Sequence, residues 1–253
     1  MTMNVTGIYR YPVKGFSGER LPEADLQPGQ TLRGDRMFAL GRPGVVFDVK
    51  HPTWMPKTNF LALVRDARLA ELDTCYGDAT GLLSVHKDGE EMLSADLSRT
   101  DGRRELEEFL AHFLAEEISG HPTLLRAEGH SFSDLDAKVL SLINLESVQA
   151  LAAQTRTATH PLRFRGNIYF DGVPPWSEFD WIDREITIGN VCLKVVKRTR
   201  RCAATNVNPE TALRDMNIPA SLQRHWGHAE LGVYARVMGT GTIRAGDQLQ
   251  LKD

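Results

Sequence analysis

Apolar and polar residues alternate in short bursts along the first hundred positions. Residues 5–11 are rich in β-formers and stop at Pro12. Residues 36–40 are entered through the turn pair Gly34-Asp35, and residues 45–49 follow Pro43-Gly44. Residues 60–65 and 82–86 continue the series. Short apolar runs punctuated by Gly and Pro predict strands of a barrel or meander, not repeated strand–helix units. The period then changes over residues 103–118. Leu106, Phe109, Leu110, Phe113 and Leu114 fall on one helical face, with Glu105, Glu107 and Glu108 elsewhere, and Gly120 is placed to end the segment. A core-packing helix is expected there, forming the hinge between an N-terminal domain over residues 1–100 and a second domain over residues 101–253.

A second helix is expected over residues 145–154, with Asn144 as its N-cap. Strands are expected over 165–170, over 185–188 and from 191 toward 204, with Gly189-Asn190 as the hairpin turn between the last two. Short helices are expected over 210–216 and 220–226, the second opened by Pro219. The pattern returns to strand over 232–238 and 248–251. The expected fold class is mainly β with α (α+β), with strands outnumbering helices.

Composition is that of a globular chain: 42% hydrophobic and 25% charged residues, with a net charge of -3. That balance argues against a general nucleic-acid binder. No apolar run approaches the roughly 20 residues needed to span a bilayer, and the N-terminus does not read as a signal peptide. Cys75, Cys192 and Cys202 are too few and too scattered for a disulfide framework, and no pair shows CxxC spacing. A cytoplasmic, reducing setting follows as the default.

Against this acidic background one stretch stands out. In KVVKRTRRCAATNVNP, the cations Lys194, Lys197, Arg198, Arg200 and Arg201 crowd the eight residues before Cys202. Neighbouring guanidinium groups favour a thiolate, which is both a nucleophile and a soft metal ligand. On unbroken strand alternation Cys202 shares a face with Lys194, Arg198 and Arg200. A second set is dispersed: Lys14 after Tyr11-Pro12, Arg36 after Gly34-Asp35, and Arg163, Arg165 and Asn167 in LRFRGNIYF. An arginine within an apolar pattern commonly binds a fixed anion or a buried carboxylate. Asn144 adds an anion-friendly helix start. His225 and His228 form an HxxH pair, which is poor grounds for a metal site without further ligands. GxGxxG, GxxxxGK[ST] and GxSxG are absent from the sequence.

These residues together resemble a known family. YPVKGFSGERLPEADLQPGQTLRGDRMFAL resembles the N-terminal β-barrel that accompanies MOSC domains. LRFRGNIYFDG resembles the Arg…Asn-Ile segment of the MOSC domain proper, and RRCAATNVNPET resembles its signature of Cys and Thr followed by (Asp/Asn)-Pro-x-Thr. LGVYARVMGTGTIRAGDQLQL is similar to its closing strands. The resemblance implies an N-terminal β-barrel-like domain followed by a MOSC-type β-barrel with flanking helices. It also implies binding of molybdenum cofactor (molybdopterin), a pterin dithiolene carrying a phosphate. By likeness to the amidoxime-reducing proteins, Cys202 would be the molybdenum ligand and catalytic centre. Lys14, Arg36, Ser141, Asn144, Arg165, Asn167, Arg200 and Tyr234 would contact the cofactor.

The implied activity is reduction of small N-hydroxylated or related N-oxygenated substrates. With the sequence closing just past its last expected strand, electrons are expected from a separate donor: a flavoprotein, a ferredoxin-like protein or a cytochrome b5-like protein. The chain departs from these relatives at Gly15 and Arg200, where a small hydroxyl residue is usual, and at Ala212, where glycine is usual. The sulfurase relatives supply an alternative, a sulfur carrier with a persulfide on Cys202. A non-enzymatic barrel gripping an anion or nucleic-acid strand is disfavoured, because KVVKRTRR interleaves no aromatics.

Overall fold

The computed structural model describes residues 2–252. Its elements run β1 (Met3–Arg10), β2 (Glu19–Leu21), β3 (Glu23–Leu26), β4 (Ala39–Gly41), β5 (Asp73–Tyr76), β6 (Leu82–Lys87), β7 (Glu90–Asp96), α1 (Thr100–Phe113), β8 (Thr123–Leu125) and β9 (Leu140–Asn144). They continue with α2 (Leu145–Thr155), β10 (Ile168–Asp171), β11 (Glu185–Ile188), β12 (Val191–Arg200), α3 (Ile218–Trp226), β13 (Glu230–Val237), β14 (Gly241–Arg244) and β15 (Gln248–Leu251). The chain is therefore mainly β with a few helices, the expected class.

Seven strands close into a barrel in the order β10-β9-β13-β12-β11-β15-β1, with β1 returning to β10 and β2 appended to β1. All neighbours are antiparallel except β9 and β10. Alternating apolar residues fill the interior, among them Val5, Ile8, Leu142, Phe170, Ile186, Leu193, Val195, Val233 and Leu249. A second core lies under β4 to β8 and α1, joining Val13, Phe38, Leu61, Leu83 and Val85 to Leu106, Leu110 and Leu114. The helical face read from the sequence is thus the buried one. Phe109 and Phe113 stack on each other at its margin. A third cluster seats α2 and α3 on the barrel through Ile143, Val148, Leu151, Ile218 and Leu222. Among the described residues no helix is long and apolar enough to cross a membrane.

Several local expectations need correction. Residues 45–49 form no strand; Val46 stands 88% exposed, and an apolar run without a partner edge has no ladder to join. Residues 60–65 keep only an isolated bridge from Phe60 to Gly41. Residues 36–40 contribute only the short β4, because Arg36 is left-handed at φ 52. Arg165, at φ 50, ends a 3-10 turn over Pro161–Phe164, so the following strand starts only at Ile168. Residues 210–216 are turns rather than helix, with Val207 bridged to Arg214 and Ala212 at φ 56. That left-handed backbone accounts for a position where glycine is the easier residue. The α1 helix stops at Phe113, short of residue 118.

Candidate functional site

A cleft of about 940 Å³, counted to its open mouth, lies between the barrel and the second core. One wall is built by strand register. Ser141 on β9 faces Tyr234 on β13 across the ladder. Asn167 then locks β9 to β10 and β1: its amide donates to Ser141 O at 2.8 Å, its Oδ1 accepts from Ser141 N at 3.1 Å, and its Nδ2 donates to Tyr9 O at 3.2 Å.

The opposite wall carries the N-terminal cations. Lys14 follows the isolated bridge from Val13 to Phe38, with its side chain only 6% exposed. Its Nζ donates to Phe132 O at 2.9 Å and to Asp134 Oδ1 at 2.5 Å. Arg36 pairs with Asp35 and donates to Arg165 O at 3.0 Å. Arg36 and Arg165 both lie over the Tyr11 ring, 4.9 and 4.3 Å from its centre. Arg165 donates to Phe16 O at 2.6 Å, and burial pulls its guanidinium down to about 10, still charged at neutral pH.

The floor is the end of β12. Two bulges, between Val195 and Lys197 and between Arg198 and Arg200, break the alternation assumed from sequence. The cationic face is dispersed as a result. Arg198 stacks on Phe179 at 4.4 Å, while Arg201 turns inward and donates to Leu231 O and Phe164 O. Thr199 is buried, and Arg200 is exposed at the rim of the cleft. Cys202, half-buried, leads into the 3-10 turn Ala203–Asn206, and its carbonyl accepts from Thr205 N and Oγ1.

The nearest cation to the sulfur comes from elsewhere. Lys57 Nζ donates to Cys202 Sγ at 3.2 Å and lies 3.5 Å from Asp134 Oδ2. Burial opposes its charge, but Asp134 and the sulfur outweigh it and hold the ammonium above the usual lysine range. Asp134 shows the mirror image. Partial desolvation by the cleft walls would raise its carboxyl, yet Lys14 and Lys57 hold it well below the usual carboxylate range. A depressed carboxyl stabilises the fold above its unfolded value of 3.8, and that contribution fades as pH falls toward the lower folded value. Asp134→Asn should therefore lower the urea midpoint at pH 7, and the gap to the natural chain should close as the pH drops below about 4.

Lys14, Arg36, Ser141, Arg165, Asn167, Arg200, Tyr234 and Cys202 thus line one cleft. Asn144 is not among its lining residues. It is fully buried, caps α2 by accepting from Glu146 N at 3.0 Å, and donates to Glu178 Oε2 at 2.9 Å and Pro174 O at 3.1 Å. The sequence reading did not single out Lys57, Asp134 or Thr199. Lys57 lies 145 positions before Cys202 and carries no local pattern that marks it. Nor does the HxxH pair reach the cleft lining: His225 meets Gln154, and His228 packs on Trp176 and Phe179.

Four buried polar atoms of the described lining residues have no partner within the protein: Ser141 Oγ, Arg163 Nε, Arg165 Nη2 and Thr199 Oγ1. Orphaned groups of this kind are costly unless a ligand or solvent meets them. Among the described residues no group of three or more His, Cys, Asp or Glu gathers to hold a metal ion alone. The site therefore offers one sulfur donor inside a shell of ammonium, guanidinium and hydroxyl donors. That donor set suits a soft metal presented on an anionic organic carrier.

The sequence model of the MOSC domain matches residues 127–250. Curated relatives include mitochondrial amidoxime-reducing component 1 of Mus musculus, 30% identical over 46% of this chain and 37% of that protein. The counterpart in Xenopus laevis is 31% identical over 44% of this chain and 36% of that protein. The chain thus spans little more than a third of these two relatives' length. The Homo sapiens protein of the same name is 22% identical over 98% of this chain and 82% of its own length. Among solved structures, the YUAD protein from Bacillus subtilis covers 99% of this chain and 96% of its own, with a TM-score of 0.48 and 12% identity. Just under half of this chain, residues 127–250, is thus similar to the MOSC domain family.

Proposed function

We propose that the cleft holds a molybdenum cofactor with Cys202 as its protein ligand, and that the chain reduces N-hydroxylated or related N-oxygenated small molecules. The observation that carries this reading is the set of orphaned atoms: Ser141 Oγ, Arg163 Nε, Arg165 Nη2 and Thr199 Oγ1 are buried among residues that line the same cleft as Cys202. These residues fit the group, since a phosphorylated pterin offers acceptors to the donors, and a soft metal takes a thiolate. When bound, the cofactor supplies two-electron redox chemistry at its metal. Removing oxygen from an N-hydroxyl group consumes two electrons and two protons and releases water.

The chain's own contribution is positioning and charge. Lys14, Arg36 and Arg165 would grip the anionic part of the ligand, with Arg36 and Arg165 held in place by Tyr11. Ser141, Asn167 and Tyr234 would frame the pterin along β9, β10 and β13. Asn144 would act at one remove, by fixing the junction of β9 and α2. Arg200 at the rim would meet the entering substrate. Lys57 keeps a proton on Nζ beside Cys202, within reach of a group in the cleft. Electrons would come from a separate donor protein.

Protein purified from a host that makes the cofactor should carry about one molybdenum per chain by elemental mass spectrometry. Protein from that host without molybdenum overturns the reading. A persulfide on Cys202 with no pterin would establish the sulfur-carrier alternative instead.

A further inference from the structure

Lys14 poses an electrostatic problem. Its ammonium is almost wholly buried and its uncharged partner is a single carbonyl, Phe132 O. A buried cation needs a counter-charge, and leaving one unpaired is expensive. The counter-charge present is Asp134, 2.5 Å from Lys14 Nζ and 3.5 Å from Lys57 Nζ. The two partners are unequally built in: the Asp134 side chain is 48% exposed, against 6% for Lys14.

Asp134 is also mounted differently from the cations around it. It sits between β8 and β9 in a connection without helix or strand. The connection is pinned just before it, where Phe132 N donates to Arg36 O at 2.8 Å and the Phe132 ring packs on Phe47 and Phe60. From Ser133 onward the segment runs along the cleft mouth, with Ser133, Asp134 and Leu135 all in the lining. A carboxylate on such a mount can swing toward solvent while the segment before it stays pinned at Phe132.

We propose that Asp134 is a tethered competitor, a carboxylate occupying the seat between Lys14 and Lys57 that a phosphate-type oxyanion takes when a ligand enters. This deepens the functional reading and rests on it for the claim that the cleft takes an anionic ligand. The exchange conserves charge at the seat: in the ligand-bound form one anion stands in for the other, and Lys14 lacks a counter-charge only in the minor open form. It also makes the cleft selective. A neutral molecule cannot displace the carboxylate, and a weak anion must outbid a group held at high effective concentration. The apparent affinity for an oxyanion is lowered by the fraction of molecules in which Asp134 has swung out.

The test is calorimetric titration of inorganic phosphate into the full chain purified without cofactor. Asp134→Asn should bind phosphate roughly tenfold more tightly than the natural chain, the gain expected if the open form is about a tenth of the population. Asp136→Asn, two positions along the same connection and exposed, makes the same change in net charge and should stay within about twofold, since surface charges act weakly through screening salt. Lys14→Met should remove the binding, with thermal unfolding used to confirm that each variant is folded. Equal affinity in Asp134→Asn and the natural chain overturns the proposal. So does an equal gain in Asp136→Asn, or phosphate binding that survives Lys14→Met. Molybdenum content of the natural chain is measured separately. Full molybdenum loading with no gain in Asp134→Asn sinks this inference alone; the phosphate pattern without molybdenum uptake sinks the cofactor reading alone.

Discussion

Gly232→Val should cost on the order of 4 kcal/mol, a large share of the stability of an ordinary domain. Gly232 sits within β13 at φ 74. A Cβ there would lie 2.4 Å from Leu142 O, 2.9 Å from Ile143 Cδ1 and 3.2 Å from Arg201 Nη2. The left-handed backbone alone costs a side chain about 1–2 kcal/mol. The carbonyl of Leu142 cannot retreat, because β9 is held between β13 and β10 in a closed barrel. The damage would spread into the cleft. Val233 pairs with Leu142 and Tyr234 with Ser141, so pushing the strands apart misplaces two lining residues together. Arg201, whose guanidinium reaches Leu231 O, would also be displaced. Thermal unfolding should fall by roughly 10 °C. Gly239→Ala is the matched control: its Cβ meets nothing nearer than Cys192 N at 3.6 Å, and the melting point should barely move.

Cys202→Ser should do the reverse, sparing the fold and removing the function. The side chain is half-buried, and its one hydrogen bond comes from Lys57, which a hydroxyl can also accept. The denaturation midpoint should shift by no more than the ~0.5 kcal/mol typical of a mild surface change. A serine oxygen is a hard, weakly acidic ligand where a soft sulfur is wanted. Reduction of an N-hydroxylated test substrate should drop more than about a hundredfold, beyond the loss typical when only a residue supporting a metal ligand is changed. Molybdenum content of the purified variant should fall with it. Undiminished turnover in Cys202→Ser would remove the sulfur from the mechanism.

The elements read correctly from sequence are those whose signals are local. Asn144 announces the start of α2 through a side-chain cap. Gly189-Asn190 marks the β11–β12 hairpin, and the apolar face of α1 is the one that packs. The gathering of Lys14, Arg36, Arg165 and Cys202 came from motif resemblance, since nothing in their spacing brings distant chain segments together. Elements set by long-range contacts escaped. The strand parity linking Lys194, Arg198 and Cys202 failed because bulges in β12 are fixed by its partner β13. Residues 45–49 have strand-like composition but no edge to join. Asn144 carries the right residue type, yet its amide is spent on Glu178. Lys57 reaches Cys202 only because the second core lies against the barrel mouth, a relation no window of sequence displays.

The closure of the barrel by β1 has a consequence for how the chain acquires its structure. Met3 pairs with Leu249 and Asn4 with Gln248, so two neighbouring staves come from segments nearly the whole sequence apart. Such a seam cannot form during synthesis until β15 has left the ribosome, and pairings this distant slow folding. Until then β1 presents an open edge that invites wrong partners. The barrel wall of the cleft is complete only once β15 has paired with β1, so a receptive cleft forms late, after segments far apart in sequence have met.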